Sequence, residues 1–224
     1  MSKTSFKDMF FQNESKAEEG DWEGANSIIL QVNDADFTKK KTKFVVDIKL
    51  DDGGEYKLLK EDNTATYYLG YFDEETIQTK QGEEIKEKFK VIMFIKFSKE
   101  GSLGHKLGNN KLYNVDEVGV TDALLTRRRG IAKTVYKYFV KEQGWEILGD
   151  SHQYFGARRL WSRLSKELDV QVDLVDIQKK VIIEENVILH HGRYDEDFDE
   201  RLWSRGEDKL HIRPILKKIL KDYE

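Results

Sequence analysis

Along residues 44–50, Phe44, Val46, Ile48 and Leu50 alternate with positions that include Asp47 and Lys49, the period-two pattern of a half-buried strand. Residues 27–32 (SIILQV) also have strand composition, and the Asn-Asp-Ala-Asp-Phe run between the two suits a hairpin turn. Asp51-Asp52-Gly53-Gly54 marks a further turn, and residues 65–72 (ATYYLGYF) predict a third strand. The front of the chain is therefore expected to be β-rich. Residues 82–90 are charged and suggest a helical connector, whereas residues 91–97 (VIMFIKF) are apolar at successive positions, as in a strand buried on both faces. Residues 101–110, rich in Gly and Asn, predict a loop, and residues 112–120 (LYNVDEVGV) another strand.

After Gly130 the period changes. Ile131, Val135, Tyr138 and Phe139 fall at i, i+4, i+7 and i+8, one face of a helix, and Gln143-Gly144 supplies its stop signal. Residues 145–148 give a short strand, and Ala157, Leu160, Trp161 and Leu164 then mark a second amphipathic helix. Residues 170–177 and 180–183 pair as a hairpin. Beyond Glu184 the composition turns charged and loop-like until residues 212–220, a short amphipathic tail that holds the only proline, Pro214. These shifts divide the chain into an N-terminal arm (1–24), a main domain (25–184) and a charged C-terminal extension (185–224). The arm carries Phe6, Phe10 and Phe11, placed to dock on the body or on a protein partner. The segment RLWSR occurs at 159–163 and again at 201–205, but nothing around either copy repeats, so we treat it as coincidence.

With 224 residues, 38% apolar and 12% aromatic, the chain is long and apolar enough for one main folded domain. Its 42 acidic and 38 basic side chains give a net charge of -4, too balanced for a global field that grips nucleic acid. Any anion site has to be local. Cysteine is absent, which removes disulfides, thiolate nucleophiles and Cys-built zinc sites and fits a cytoplasmic setting. The N-terminus lacks an apolar signal core, and no run approaches the ~18 apolar residues of a spanning helix, so no membrane association is expected. Asp150-Ser151-His152 contains hydrolase residue types, yet neighbours in sequence cannot form a triad and the glycine of a nucleophile elbow is missing. The adjacent His190-His191 pair lacks the spaced partners of a metal site and is expected at the surface.

The local concentration of positive charge is Arg127-Arg128-Arg129, set directly before Gly130-Ile131-Ala132-Lys133 at the start of a helix. A glycine and a small residue let the backbone pass close to a ligand, and the first free amides of the helix favour an anion by ~0.3–1 kcal/mol. A pyrophosphate suits that place. This segment, after the strand at 115–120 and before an amphipathic helix, resembles the acyl-CoA pyrophosphate loop of the GNAT superfamily of N-acyltransferases, whose pattern is Gln/Arg-x-x-Gly-x-Gly/Ala. Gly156 to Leu164 (GARRLWSRL) resembles that family's second cofactor helix, with Ala157 matched. Trp161 stands where the family has a tyrosine and Tyr154 where it has an asparagine.

The resemblance covers about residues 91–183 and implies a mixed α/β fold, a central, mostly antiparallel sheet flanked by helices, here with a β-rich N-terminal part. It implies acetyl-CoA or a related acyl-CoA as cosubstrate and an amine acceptor. The cosubstrate would lie along Arg127, Arg128, Arg129, Gly130, Ile131, Ala132 and Lys133, with the backbone at Val118 and Val120 orienting the acyl carbonyl and Ala157 and Trp161 on the second helix. Of the neighbouring carboxylates Asp116 and Glu117 only one can face the cleft, and Glu117 is the one assigned to deprotonating the amine. The family tyrosine that protonates the leaving thiolate is Trp161 here, so Tyr154, His152 or Ser151 would have to replace it, or catalysis is weak or absent. These departures resemble those of GNAT-like proteins encoded by tailed bacteriophages. That likeness brings a second expectation, a non-catalytic virion component or host-factor inhibitor on the same scaffold, in the host cytoplasm or the virion.

Overall fold

The front of the chain is β-rich, as its apolar alternation leads one to expect, and four strands begin in the first of two compact units. A computed structural model describes residues 41–50, 53–79, 82–120, 130–149, 155–190, 202 and 211–219; the N-terminal arm and the strand expected at 27–32 lie outside them. Among the described residues the chain is a mixed α/β protein with nine strands, mostly antiparallel, and three helices. No helix among them is long and apolar enough to cross a membrane. The first unit comprises residues 1–95 and 118–131, the second residues 96–117 and 132–224.

In the first unit β1 (Thr42–Lys49), β2 (Glu55–Glu61), β3 (Thr66–Thr79) and β4 (Gly82–Lys99) follow one another in sheet order, β4 continuing into the second unit. β1 and β2 are antiparallel, from Thr42 opposite Glu61 to Lys49 opposite Glu55, with a bulge between Phe44 and Val46. β2 was not anticipated, because Leu58-Leu59 breaks the strict alternation of its seven charged and apolar residues. Residues 82–90 are strand and not a helical connector. A helix there would have needed a buried face, and Ile85 is 67% exposed, whereas Phe89 joins Leu59, Tyr68, Phe94 and Val91 in one apolar cluster. The ring of Phe89 meets Phe72 edge-on at 5.1 Å.

In the second unit the order runs from the end of β4 through β5 (Leu112–Val120), β6 (Glu146–Leu148), β9 (Ile212–Lys218), β7 (Val170–Asp176) and β8 (Val181–Glu184). β5 and β6 are parallel and joined through α2 (Ile131–Lys141); α3 (Phe155–Leu164) joins β6 to β7. The stretch at 101–110, expected as a loop, begins with α1 (Gly101–Lys106). Its Gly and Asn content masked the i, i+4 pair Leu103 and Leu107, which pack on Leu112, Leu148, Val175 and Ile215. The ring contacts gather elsewhere in this unit. Phe139 of α2 and Tyr113 of β5 stack on Trp145, at 4.6 Å and 3.9 Å between ring centres, and Phe97 meets all three edge-on.

The expected amphipathic tail is strand β9, inserted between β6 and β7 and antiparallel to both. Pro214 argued against a strand, since a proline cannot donate to a ladder. The two neighbouring strands nevertheless bury Ile215 and Leu216 completely. The change of composition after Glu184 does not end the packing either: Val187 and Leu189 are buried, and Val187 N–H donates to Val172 O at 2.8 Å.

Close packing in the first unit gives a direct test. A Cβ on Gly70 of β3 would stand 2.1 Å from the carbonyl oxygen of Lys90 and 2.8 Å from the Phe89 ring, and a backbone atom cannot yield as a flexible side chain can. Gly70→Ala is expected to destabilise the protein by about 1–3 kcal/mol, the usual range for overpacking. Urea unfolding followed by tyrosine and tryptophan emission measures it; an unchanged midpoint would contradict the contact.

Candidate functional site

The segment singled out from the sequence lies along β5, the turn before α2, and α3. Arg127, Arg128 and Arg129 lie outside the described residues, as do His152 and Tyr154. Gly130 occupies the turn directly ahead of Ile131 with φ of 66°, in the left-handed region that side chains other than glycine rarely adopt. The helix then starts at Ile131, which is 3% exposed and belongs to the core. Ala132 is half-buried. On α3 Ala157 is half-buried, whereas Trp161 is 2% exposed and meets the Tyr136 ring edge-on, 6.1 Å between centres. That position is built into the core of the second unit.

β5 and β6 pair over only three residues, Leu112 with Glu146 through Asn114 with Leu148, after which β6 stops and β5 continues to Val120. In open α/β sheets, crevices form beyond the carboxyl ends of such parallel strands. The neighbouring polar side chains are ordered by a network that the sequence did not announce. Ser98 Oγ donates to Asp116 Oδ1 at 2.7 Å, and Asn114 Nδ2 donates to the same oxygen at 2.8 Å. Asn114 Oδ1 in turn accepts from the guanidinium of Arg213 on β9, whose Nε donates to the carbonyl of Gly149 at the end of β6. Asp116 is thus held on the Asn114 side of β5. Strand alternation puts half-buried Glu117 on the other side, that of Tyr113 and Val115. Val118 follows, also half-buried, and Val120 ends the strand.

Lys133, assigned by sequence to the cofactor, takes part in a different arrangement. Lys133, Lys137 and Lys141 recur every fourth residue of α2 and face Glu167 and Asp169, between α3 and β7. Lys133 Nζ is 2.8 Å from Glu167 Oε1, Lys137 Nζ is 2.5 Å from Glu167 Oε2 and 2.8 Å from Asp169 Oδ1, and Lys141 Nζ is 2.7 Å from Asp169 Oδ2. Partial burial works to raise the pKa of both carboxyls, but the hydrogen bonds and charges of the lysines outweigh it and hold both below their ordinary range. For Lys137, desolvation opposes the charged form, and the hydrogen bonds that it donates to Asp169 and Glu167, with their charges, overcome it and raise its pKa.

The lysine spacing was visible in the sequence, but its acidic partners lie more than twenty residues on and have no local pattern to reveal them. Arg213 was likewise hidden in a segment taken for a tail. Among the described residues no group of three or more His, Asp or Glu is placed to hold a metal ion. Comparison of the chain with protein-family models, with curated proteins and with solved structures found no match.

The ladder on α2 has a defined pH dependence. Glu167 and Asp169 have lowered values in the folded state, so their stabilisation is complete above their ordinary values of 4.5 and 3.8 and is lost as pH falls through the lower folded values. Lys137 works in the opposite sense: its contribution is lost as pH rises beyond its ordinary value of 10.5. Lys137→Met is expected to cost about 0.5–1 kcal/mol at neutral pH and low salt, and less at pH 3 or in 1 M salt. Denaturant midpoints across that range check it; a cost independent of pH would show that the pairs do not contribute.

Proposed function

We propose that the chain binds an acyl-CoA at the turn ahead of α2 and transfers its acyl group to an amine. The observation that carries this reading is Gly130, held at φ of 66° within Arg-Arg-Arg-Gly-Ile-Ala at the very start of α2. A glycine in that conformation removes a side chain from the approach to the helix's first amides, where an anion is favoured by ~0.3–1 kcal/mol. The flanking arginines add positive charge. Lys133 is already paired with Glu167, so in this reading the attraction for phosphate comes from the amides and from Arg127, Arg128 and Arg129. The same reading makes residues 25–184 a GNAT-like domain whose sheet is flanked by helices, working in the cytoplasm.

In the transfer, Glu117 takes a proton from the acceptor ammonium and the neutral nitrogen attacks the thioester carbonyl, which the backbone amides near Val118 and Val120 orient. A C–N bond forms as the C–S bond breaks; the departing thiolate takes a proton from Tyr154 or His152, and that group regains one from the second proton that the new amide nitrogen sheds. An acidic chain of net charge -4 suits a basic acceptor.

A second reading rests on Trp161. Where the family has an ionisable tyrosine, this chain has an indole that is 2% exposed and packed against Tyr136. An indole cannot protonate a thiolate. This favours a protein that keeps the ligand site without turnover, as a virion component or host-factor inhibitor of a bacteriophage would.

Titration calorimetry with acetyl-CoA separates these readings from a protein with no such site. Binding is expected for the native chain and its loss for Gly130→Asp, whose carboxylate would enter the anion's place, with the fold retained by circular dichroism. No heat at millimolar acetyl-CoA would end both readings. Turnover is then scored as acyl-CoA consumption with polyamines and lysine peptides. Tyr154→Phe is expected to slow it by on the order of 10²-fold with little change in affinity; equal rates would remove Tyr154 from the chemistry, and binding without turnover in either protein would select the second reading.

A further inference from the structure

We propose that the join between β6 and β9 is a proton-operated latch: Glu146 of β6 and Asp173 of β7 compete for the ammonium of Lys217 on β9, so that proton uptake by Glu146 tightens the join and proton loss loosens it. The three residues come from adjacent strands. In the antiparallel ladder Ile147 stands opposite Leu216 and Leu148 opposite Ile215, a register that sets Glu146 opposite Lys217 one step on. On its other edge β9 pairs with β7, Lys217 opposite Gln171 and Ile215 opposite Asp173. Residues two apart along a strand share a face. Glu146, Lys217, Gln171 and Asp173 therefore stand on the face of Leu148 and Ile215, the one on which Leu103 and Leu107 of α1 pack.

Lys217 is committed to one of its two carboxyl neighbours. Its Nζ is 2.5 Å from Asp173 Oδ2, a contact of charges without the alignment of a hydrogen bond, and the Asp173 side chain is completely buried. Asp173 Oδ1 accepts from Gln171 Nε2 at 3.0 Å and from the backbone N–H of Asn186 at 2.9 Å. Drawing Lys217 away would leave a buried charge unmet, which is costly.

Glu146 receives the weaker share. From the α1 side it meets the neutral amide of Asn109, and on β5 Leu112 stands opposite it. Lys111, whose carbonyl accepts the Glu146 N–H at 3.0 Å, sends its own ammonium to the carbonyl of Gln143. The charges acting on Glu146 are thus Lys217 and Asp173, of opposite sign. Burial pushes its carboxyl above the ordinary value and the Asp173 charge adds to this, while the Asn109 hydrogen bond and the Lys217 charge oppose without cancelling. With Glu146 ionised the three groups carry one unmatched negative charge; with it protonated they reduce to the Lys217–Asp173 pair.

The join is short enough for that charge to matter. Two residue pairs link β6 to β9, with Glu146 at one end and the contacts of Arg213 with Gly149 and Asn114 at the other. Contacts so limited open locally more easily than the whole fold does. Because Glu146 titrates in the fold above its ordinary 4.5, the closed join bears the full penalty above the folded value, sheds it as pH falls through that value, and is free of it below 4.5. Glu167 and Asp169 act in the opposite sense and lower on the pH scale, so the two effects separate.

Carbon NMR of the Glu146 carboxyl in the native chain reads the proton directly. Its midpoint is expected above 4.5, and a midpoint at or below 4.5 overturns the proposal. Amide hydrogen exchange in β6 and β9, corrected for the intrinsic rate, reads the latch: protection in the native chain is expected to rise several-fold from neutral pH to 4.5. Glu146→Gln, neutral and of the same shape, is expected to keep the higher protection at both. Native protection that does not rise, or a variant that gains as much as the native chain, overturns the proposal as well; if the variant fails to fold, the native titration and the native exchange still decide. Asp173→Asn releases Lys217 to Glu146 and is expected to lower the Glu146 midpoint. An unmoved midpoint would mean that burial alone sets it, and would end the competition for Lys217.

Discussion

The second unit depends on one constraint, that β9 must lie between β6 and β7. β6 is three residues long and β7 is buried along its length, so neither is a self-sufficient strand. β9 supplies both with an antiparallel partner, and Ile215 and Leu216 are fully buried in doing so. Burying such side chains is worth about 1.5–3 kcal/mol each relative to exposure. The same strand carries Arg213 into the interior, where a cation is tolerated only if its N–H groups are met. The carbonyl of Gly149 and the side chain of Asn114 meet two of them. One strand from late in the chain thereby links the end of β6 to Asn114 of β5, whose side-chain amide also donates to Asp116.

Helix α2 is held from two directions. Phe139 stacks on Trp145, while Lys133, Lys137 and Lys141 close on Glu167 and Asp169. The aromatic contacts fix the helix by area and shape, the ion pairs by orientation, since three lysines four residues apart reach two carboxylates only when the helix keeps its rotation. With both in place, the conformation of Gly130 is decided by where the helix must begin.

Periodicity carried the sequence analysis where an element buries one face. The helix pattern from Ile131 to Phe139 and the strand at residues 112–120 needed no tertiary information, because their apolar spacing matches the period of the element they form. It failed where an element's role comes from a distant partner. Residues 82–90 look helical by charge and become strand because Phe89 is needed in the cluster with Tyr68 and Phe94. β9 reads as a tail because Pro214 and the preceding charged stretch hide a strand that only the β6–β7 gap calls for. At the site, the glycine turn was legible because positive φ has a residue signature, whereas the Arg213 network was not, because Ser98, Asn114, Asp116, Gly149 and Arg213 come from four separate segments.

The ladder also changes how an anion could be held before α2. Read from the sequence alone, Lys133 adds a fourth cation to Arg127, Arg128 and Arg129. In the structure its ammonium is 2.8 Å from Glu167, and Lys137 and Lys141 are likewise paired with Glu167 and Asp169. To reach a phosphate, Lys133 would have to leave a partly buried carboxylate, giving up at one end what it gained at the other. The helix's own lysines therefore serve stability, and an anion at its start would depend on backbone amides and on residues preceding Gly130. In the proposed reading, the two demands on positive charge, one from packing and one from a ligand, fall to separate residues on either side of that glycine.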